Sequence, residues 1–180
     1  LCADGPLYRA SSLQALLDQQ STRGAAVTIL TAHVDRPHGY GRIVATQDGG
    51  VERIVEEIEA DAATKAIREI NTGILAFRAE EGIPALRTLS NTNRKGEYYL
   101  TDIVERVRAA GAAVARSPVA DPTECLAFNS IAELGEVRGI LRARIAREHM
   151  DRGVDIVDPE STHVDVDVTT VVNQLTNRLL

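Results

Sequence analysis

"GYGRIVATQDGGVERIVE", Gly39 to Glu56, sets two β-rich apolar runs on either side of an Asp-Gly turn. Arg42 to Thr46 and Val51 to Val55 flank Gln47 to Gly50, the pattern of a β-hairpin. A glycine pair, Gly39 and Gly41, opens the hairpin and Glu56 closes it. Read locally, the glycines permit a tight turn, and Glu56 joins Glu57 and Glu59 in a charged face.

Working outward, strands and helices alternate. Ala25 to Leu30 reads as a strand before the hairpin, and Asn71 to Phe77 as one after it, with Asn71 as its opening cap. Leu1 to Ala3 reads as the end of a buried strand, stopped by Asp4-Gly5-Pro6. Ser11 or Ser12 is expected to cap a short helix carrying Leu13, Leu16 and Leu17 on one face. Further helices are expected at 61–70 (a turn or two), 79–89 and 98–111, the last closed by Gly111, followed by a short strand at 112–119. This alternation predicts an α/β layered sheet. Asn129 to Gly153 forms the longest helix, with Ser130 and Glu133 as a capping box and Leu134, Val137, Leu141 and Ile145 as an apolar stripe. Beyond it Val alternates with Asp or Thr, which predicts strand. The chain therefore divides into an α/β domain at 1–128, a helical arm at 129–153 and a strand-forming region at 154–180.

Composition narrows the function. The 180 residues are 44% hydrophobic and only 3% aromatic, so the core must be aliphatic. A net charge of −6 with scattered Lys and Arg offers no basic stripe for a phosphate backbone, which argues against a nucleic-acid partner. No run is long and apolar enough for a membrane span. Cys2 and Cys125 stand alone, which reads as reduced buried thiols in a cytoplasmic protein; a disulfide between them is the alternative. The four histidines lack metal-ligand spacing, and "GYGR" lacks the third glycine and following helix of a dinucleotide fingerprint.

The ordered string "GYGRIV", "IVEE", "EINTGILAF", "NRKGEYYLTDIV", "FNSIAEL" and "GVDIVDP" resembles one family. It is similar to the uridyltransferase part of the bacterial bifunctional N-acetylglucosamine-1-phosphate uridyltransferase/glucosamine-1-phosphate acetyltransferases, from Asp4 to about Val168. The resemblance implies a Rossmann-like nucleotide-diphospho-sugar transferase sandwich, a long connecting helix and the start of a left-handed β-helix that trimerises in the family. It implies UMP transfer from UTP to N-acetylglucosamine 1-phosphate, giving UDP-N-acetylglucosamine for cell-wall precursors, and pyrophosphate. The sugar phosphate is already ionised, so this chemistry asks for in-line positioning and charge neutralisation by Mg²⁺ rather than a general base. By resemblance, Asp4 and Asn129 match the metal-binding residues. Gly41, Glu56 and Asn71 match residues that meet the sugar, and Tyr98-Tyr99 are expected to pack beneath it.

Three departures accompany the match. Ser130 and Ile131 follow Asn129 where the family has Asn or Asp and then Arg. The family's Gly-rich nucleotide loop and uracil contacts do not occur within these 180 residues, nor do hexapeptide repeats after Val168. The expectation is a fragment that is inactive by itself in both transfers. A pyrophosphorylase for another sugar or nucleotide, or a non-catalytic remnant, are the alternatives.

Overall fold

A computed structural model describes residues 4–170. The strand end expected at Leu1–Ala3, and with it Cys2, lies outside the described residues. The chain divides into two units, Leu1–Leu126 and Ala127–Leu180.

The first unit is built on one five-stranded sheet. Its strands are β1 (Val27–His33), β2 (Arg42–Ala45), β3 (Val51–Val55), β4 (Glu69–Phe77) and β5 (Val114–Pro118). Their order across the sheet is β3-β2-β4-β1-β5. β1 is central and apolar, and every residue but His33 is buried. It pairs parallel with β5 and antiparallel with β4, so the sheet is mixed. The expected hairpin is present: β2 and β3 pair antiparallel, with Arg42 opposite Val55 and Ile43 opposite Ile54. The turn works because Gly49 takes a φ of +81° that only glycine adopts freely, while Thr46 and Gly50 close it through a 3.1 Å backbone bond.

β4 departs from regularity at the place that matters. Leu75 lies opposite Ile29 and Asn71 opposite Thr31, so Thr72, Gly73 and Ile74 together face Leu30. This bulge is held by Thr72, whose hydroxyl donates to the Leu30 carbonyl (2.8 Å), and by a Gly73 φ of +83°. Asn71 is thus not a strand-opening cap. It is the third residue of β4, and its Oδ1 accepts the Gly73 N–H at 3.0 Å.

Four helices belong to this unit: α1 (Ala10–Arg23), the short α2 (Ala62–Lys65), which buries no residue, α3 (Ala79–Leu86) and α4 (Ile103–Ala109). The expected serine cap of α1 is corrected. Arg9 is the N-cap residue and makes no side-chain capping bond. Ser12 donates instead to Glu124 Oε1 (3.0 Å), and the Arg9 N–H donates to Glu124 Oε2 (3.0 Å). A buried glutamate from the 3₁₀ turn Pro122–Cys125 therefore caps this helix, which no local pattern could announce. Leu16 is buried while Leu17 is 53% exposed, so only part of the expected leucine face packs. The segment before α4 begins as a 3₁₀ turn at Leu100–Asp102, and Tyr98 and Tyr99 precede it in extended or loop conformation. Ile103, Val104 and Val107 of α4 join Val27, Ile29, Ile43, Val51 and Ile54 in one aliphatic cluster. A second cluster joins Leu16, Leu30, Ile70, Ile74, Val119 and Cys125. Cys125 is a free buried thiol that donates to the Pro122 carbonyl, and burial pushes its pKa up.

The second unit is dominated by α5 (Ile131–Asp151). The capping box is formed: Ser130 Oγ accepts the Glu133 N–H (3.2 Å), and Glu133 Oε2 accepts the Ser130 N–H (3.0 Å). Val137 is the buried member of the expected stripe, with Ala146 and His149. Residues 154–170 correct the strand expectation, for they hold turns and, among the described residues, no strand. Alternation supplies a two-faced segment, but a strand exists only against a partner ladder. Among the described residues, no helix is long and apolar enough to cross a membrane.

Candidate functional site

Gly41, Glu56 and Asn71 come from three different parts of the sequence, and the sheet gathers them. The Gly41 carbonyl accepts the Asn71 N–H at 2.8 Å, where β2 runs into β4. Glu56 follows directly on β3, which pairs with β2, so its carboxylate returns to Gly41. A β-carbon on Gly41 would stand 3.4 Å from Glu56 Oε1 and 3.5 Å from Oε2, and 3.0 Å from Ile54 Cγ2. Gly41 has no positive φ, so what requires glycine here is the space beside the carboxylate. Gly39 is the reverse case, with a φ of +87° and nothing within 4 Å of a built β-carbon. The two glycines do different work: Gly39 bends the chain, and Gly41, itself buried, leaves room for Ile54 and the Glu56 carboxylate.

The glutamate cluster is likewise resolved into separate roles. Glu56 Oε1 accepts the Thr101 hydroxyl at 2.9 Å, which fixes the carboxylate's direction. Glu57 turns to Arg42 (2.6 Å) and His38 (3.4 Å). Burial pushes the Glu57 carboxyl up, but the Arg42 hydrogen bond and charge outweigh it and hold it below the usual range. Glu59 pairs with Arg94 at 3.3 Å.

Glu56 lines a cleft of about 600 Å³ with His38, Gly39, Glu57, Lys65, Lys95 and Tyr99 among its walls. The expectation of a Tyr98–Tyr99 packing pair is corrected here. Tyr98 is 68% exposed, and Tyr99 stands in the cleft wall. The Tyr99 hydroxyl is buried without a hydrogen-bond partner. Desolvation, then the charges of Glu97, Glu59, Glu56 and Asp102, raise its pKa, so it stays a neutral phenol able to donate. Asp102 is also raised, by burial first, with Arg106 opposing and Glu56 adding to the rise. The sequence reading did not single out Thr101, and it gave Tyr99 a packing role only. Their signal lay inside "GEYYLTD", where the tyrosines read as bulk and the threonine as filler.

Asp4 occupies the turn before Gly5-Pro6 and is half-buried. Its loop is tied to the bulge through Tyr8, whose hydroxyl donates to the Thr72 carbonyl (2.8 Å), next to Asn71. Asn129 belongs to the second unit, exposed ahead of α5, with its N–H donated to Glu133 Oε2 at 2.6 Å. Neither the Asp4 carboxylate nor the Asn129 amide oxygen accepts a hydrogen bond among the described residues. Among those residues no group of three or more His, Cys, Asp or Glu side chains is arranged to hold a metal. A larger groove of about 660 Å³ lies within the second unit, between α5 and 163–167. It carries none of the expected site residues.

No family model matches the chain. Its sequence is 43% identical over 169 residues to the bifunctional protein GlmU of Geobacillus thermodenitrificans, covering 94% of this chain and 37% of that protein. It is 47% identical over 165 residues to the bifunctional protein GlmU of Pelotomaculum thermopropionicum, covering 92% and 36%. The chain thus spans a little over a third of the length of the curated relatives it matches. Among solved structures, the UTP-bound UGPase from Acinetobacter baumannii superposes with a TM-score of 0.54 at 14% identity, covering 78% of this chain and 49% of that one. At that identity the likeness is one of fold, and it agrees with the Rossmann-like sugar-nucleotidyltransferase sandwich expected from the motifs.

Proposed function

Because the chain belongs, along nearly its whole length, with the bifunctional GlmU proteins, we propose that it is the sugar-binding part of a sugar-nucleotide pyrophosphorylase. The reaction is transfer of UMP from UTP to N-acetylglucosamine 1-phosphate, releasing pyrophosphate and yielding UDP-N-acetylglucosamine for cell-wall polymers. One observation carries the reading: Gly41 adjoins both Asn71, through a backbone hydrogen bond, and the Glu56 carboxylate, although the three come from separate segments.

In this reading Glu56 accepts sugar hydroxyls through the oxygen that Thr101 leaves free, and Gly41 admits the ring close to the backbone. Asn71 offers its amide nitrogen, since its oxygen is committed to Gly73. The donor chemistry also fits Mg²⁺, which takes hard oxygens and few of them from protein. Asp4 of the first unit keeps its side-chain oxygens uncommitted among the described residues and is the residue there that would hold it; Asn129 of the second unit is proposed as a ligand on the motif match alone. When bound, the ion neutralises phosphate charge that builds in the transition state. The reading places the protein in the cytoplasm, where the nucleotide substrate is, and within a trimeric whole protein.

The test is a pyrophosphate-release assay on two proteins. The 180-residue chain should release none above a no-protein control. A chain extended with a GlmU relative's nucleotide loop should turn over. In the extended chain Asp4→Asn and Asn129→Ala should each cut turnover about a hundredfold, with partial recovery at raised Mg²⁺. Near-normal turnover at limiting Mg²⁺ in either variant rejects the metal assignment. An extended chain that prefers another nucleotide or sugar phosphate rejects the substrate assignment.

A further inference from the structure

We infer that Arg42 is a positioning residue that sets the spacing of the sugar-binding groups while touching no substrate itself; the inference rests on the sugar-pocket reading of Gly41, Glu56 and Asn71. Arg42 is only 2% exposed, an unusual place for a guanidinium. Its backbone marks the point where three strands meet. It lies opposite Val55 on β3 and opposite Ile70 on β4. Each sugar-site residue is therefore next in sequence to Arg42 or to a residue paired with it: Gly41 beside Arg42, Glu56 beside Val55, Asn71 beside Ile70.

The side chain makes that junction rigid. Nη2 donates to Glu57 Oε2 at 2.6 Å, and Nη1 donates to the Tyr40 carbonyl. Glu57 in turn lies 3.4 Å from His38 Nδ1. One guanidinium thus fastens the His38–Tyr40 turn, which delivers Gly41, to the residue after Glu56, which receives it. The planar fork supplies both bonds in fixed relative geometry, which a lysine ammonium cannot copy. Arg42 Nε is buried with no partner, so the burial is not accounted for by complete hydrogen bonding. Groups that bind a rigid ligand must hold their mutual distances closely, and small misplacements are costly.

The experiment is a nuclear magnetic resonance titration of the 180-residue chain with N-acetylglucosamine 1-phosphate, comparing wild type, Arg42→Met, Arg42→Lys and Glu57→Gln. Amide shifts of Gly41, Glu56 and Asn71 are followed beside those of remote Gly24 and Val114. Arg42→Met should weaken the dissociation constant about tenfold or more, and Arg42→Lys by an intermediate factor. Amide shifts should change at the three site residues and not at Gly24 or Val114. A purely structural role would lower the melting temperature and leave the folded protein's affinity and site shifts unchanged. Wild-type affinity in any folded variant of Arg42 overturns the inference. If neither Arg42 variant folds, Glu57→Gln decides, since its amide keeps the shape while weakening the clamp, and wild-type affinity there overturns it equally. A wild-type chain that fails to bind the sugar phosphate overturns the pocket reading and this inference together. Binding that is indifferent to Arg42 overturns only this one.

Discussion

Gly41→Ala separates a pocket from a turn. The added methyl would lie 3.0 Å from Ile54 Cγ2, tighter than nine in ten real contacts of that kind. Ile54 is buried in the aliphatic cluster, and its Cγ2 hangs from a β-branched carbon that is stiff at χ1. The neighbour cannot swing aside as the tip of a lysine would. Overpacking of this kind costs about 1–3 kcal/mol. Restricting the unfolded chain returns about 0.4–1 kcal/mol, so the net loss of stability should be roughly 1–2 kcal/mol. The larger effect is on binding. The methyl stands 3.4 and 3.5 Å from the two Glu56 oxygens, in the space a sugar hydroxyl would use. Losing a hydrogen bond to a charged group costs about 1.5–3 kcal/mol, or roughly one to two powers of ten in affinity. Gly39→Ala is the matched comparison. It meets no atom, and its φ of +87° makes the cost one of backbone strain, about 1–2 kcal/mol of stability. The assays are urea unfolding and titration with N-acetylglucosamine 1-phosphate. Gly41→Ala should lose both stability and affinity, and its loss of affinity should clearly exceed that of Gly39→Ala, whose turn only delivers Gly41. Equal affinity in Gly41→Ala and wild type, or equal loss in the two variants, would refute the reasoning.

Glu56→Ala should weaken sugar-phosphate binding by roughly one to two powers of ten; in the extended enzyme UTP dependence should stay unchanged, and an intact sugar-phosphate dependence would return Glu56 to a structural role. Glu124→Ala removes the buried cap of α1 from Arg9 and Ser12 and should cost about 3 kcal/mol in urea unfolding, with Glu124→Gln losing less; a cost below about 1 kcal/mol would mean that water caps the helix equally well. The Glu133 carboxyl is lowered, first by the Asn129 N–H, with burial opposing and Ser130 adding to the lowering. A depressed folded-state pKa stabilises above the unfolded value near 4.5 and loses that contribution as pH falls through the folded value. Helical circular dichroism should therefore fall below about pH 4.5 in wild type by more than in Glu133→Gln; identical acid profiles would contradict the capping assignment.

How much of this was legible beforehand depends on the range of the interaction. The hairpin around Asp48-Gly49, the strand before it and the capping box of α5 are settled by periodicity and turn chemistry within a few residues, and they stand as read. The sugar-site candidates were legible through motif order, which carries residue identities but no distances. Tertiary structure alone decided what those residues touch. Ser12 gives its hydroxyl to Glu124, 112 positions away, rather than to its own helix, because a buried carboxylate offers a stronger acceptor than a local turn does. The Glu56, Glu57 and Glu59 cluster reads as one charged surface in sequence. It becomes three distinct pairings, with Thr101, Arg42 and Arg94, once β3 is laid against β2. Tyr99 changes from packing bulk to a cleft wall because it is extended, just ahead of the 3₁₀ turn that leads into α4. The alternation after α5 specified two faces, while a strand needs a neighbour's hydrogen bonds. Local sequence fixes backbone preference, and partners brought in by the fold decide which polar atom meets which.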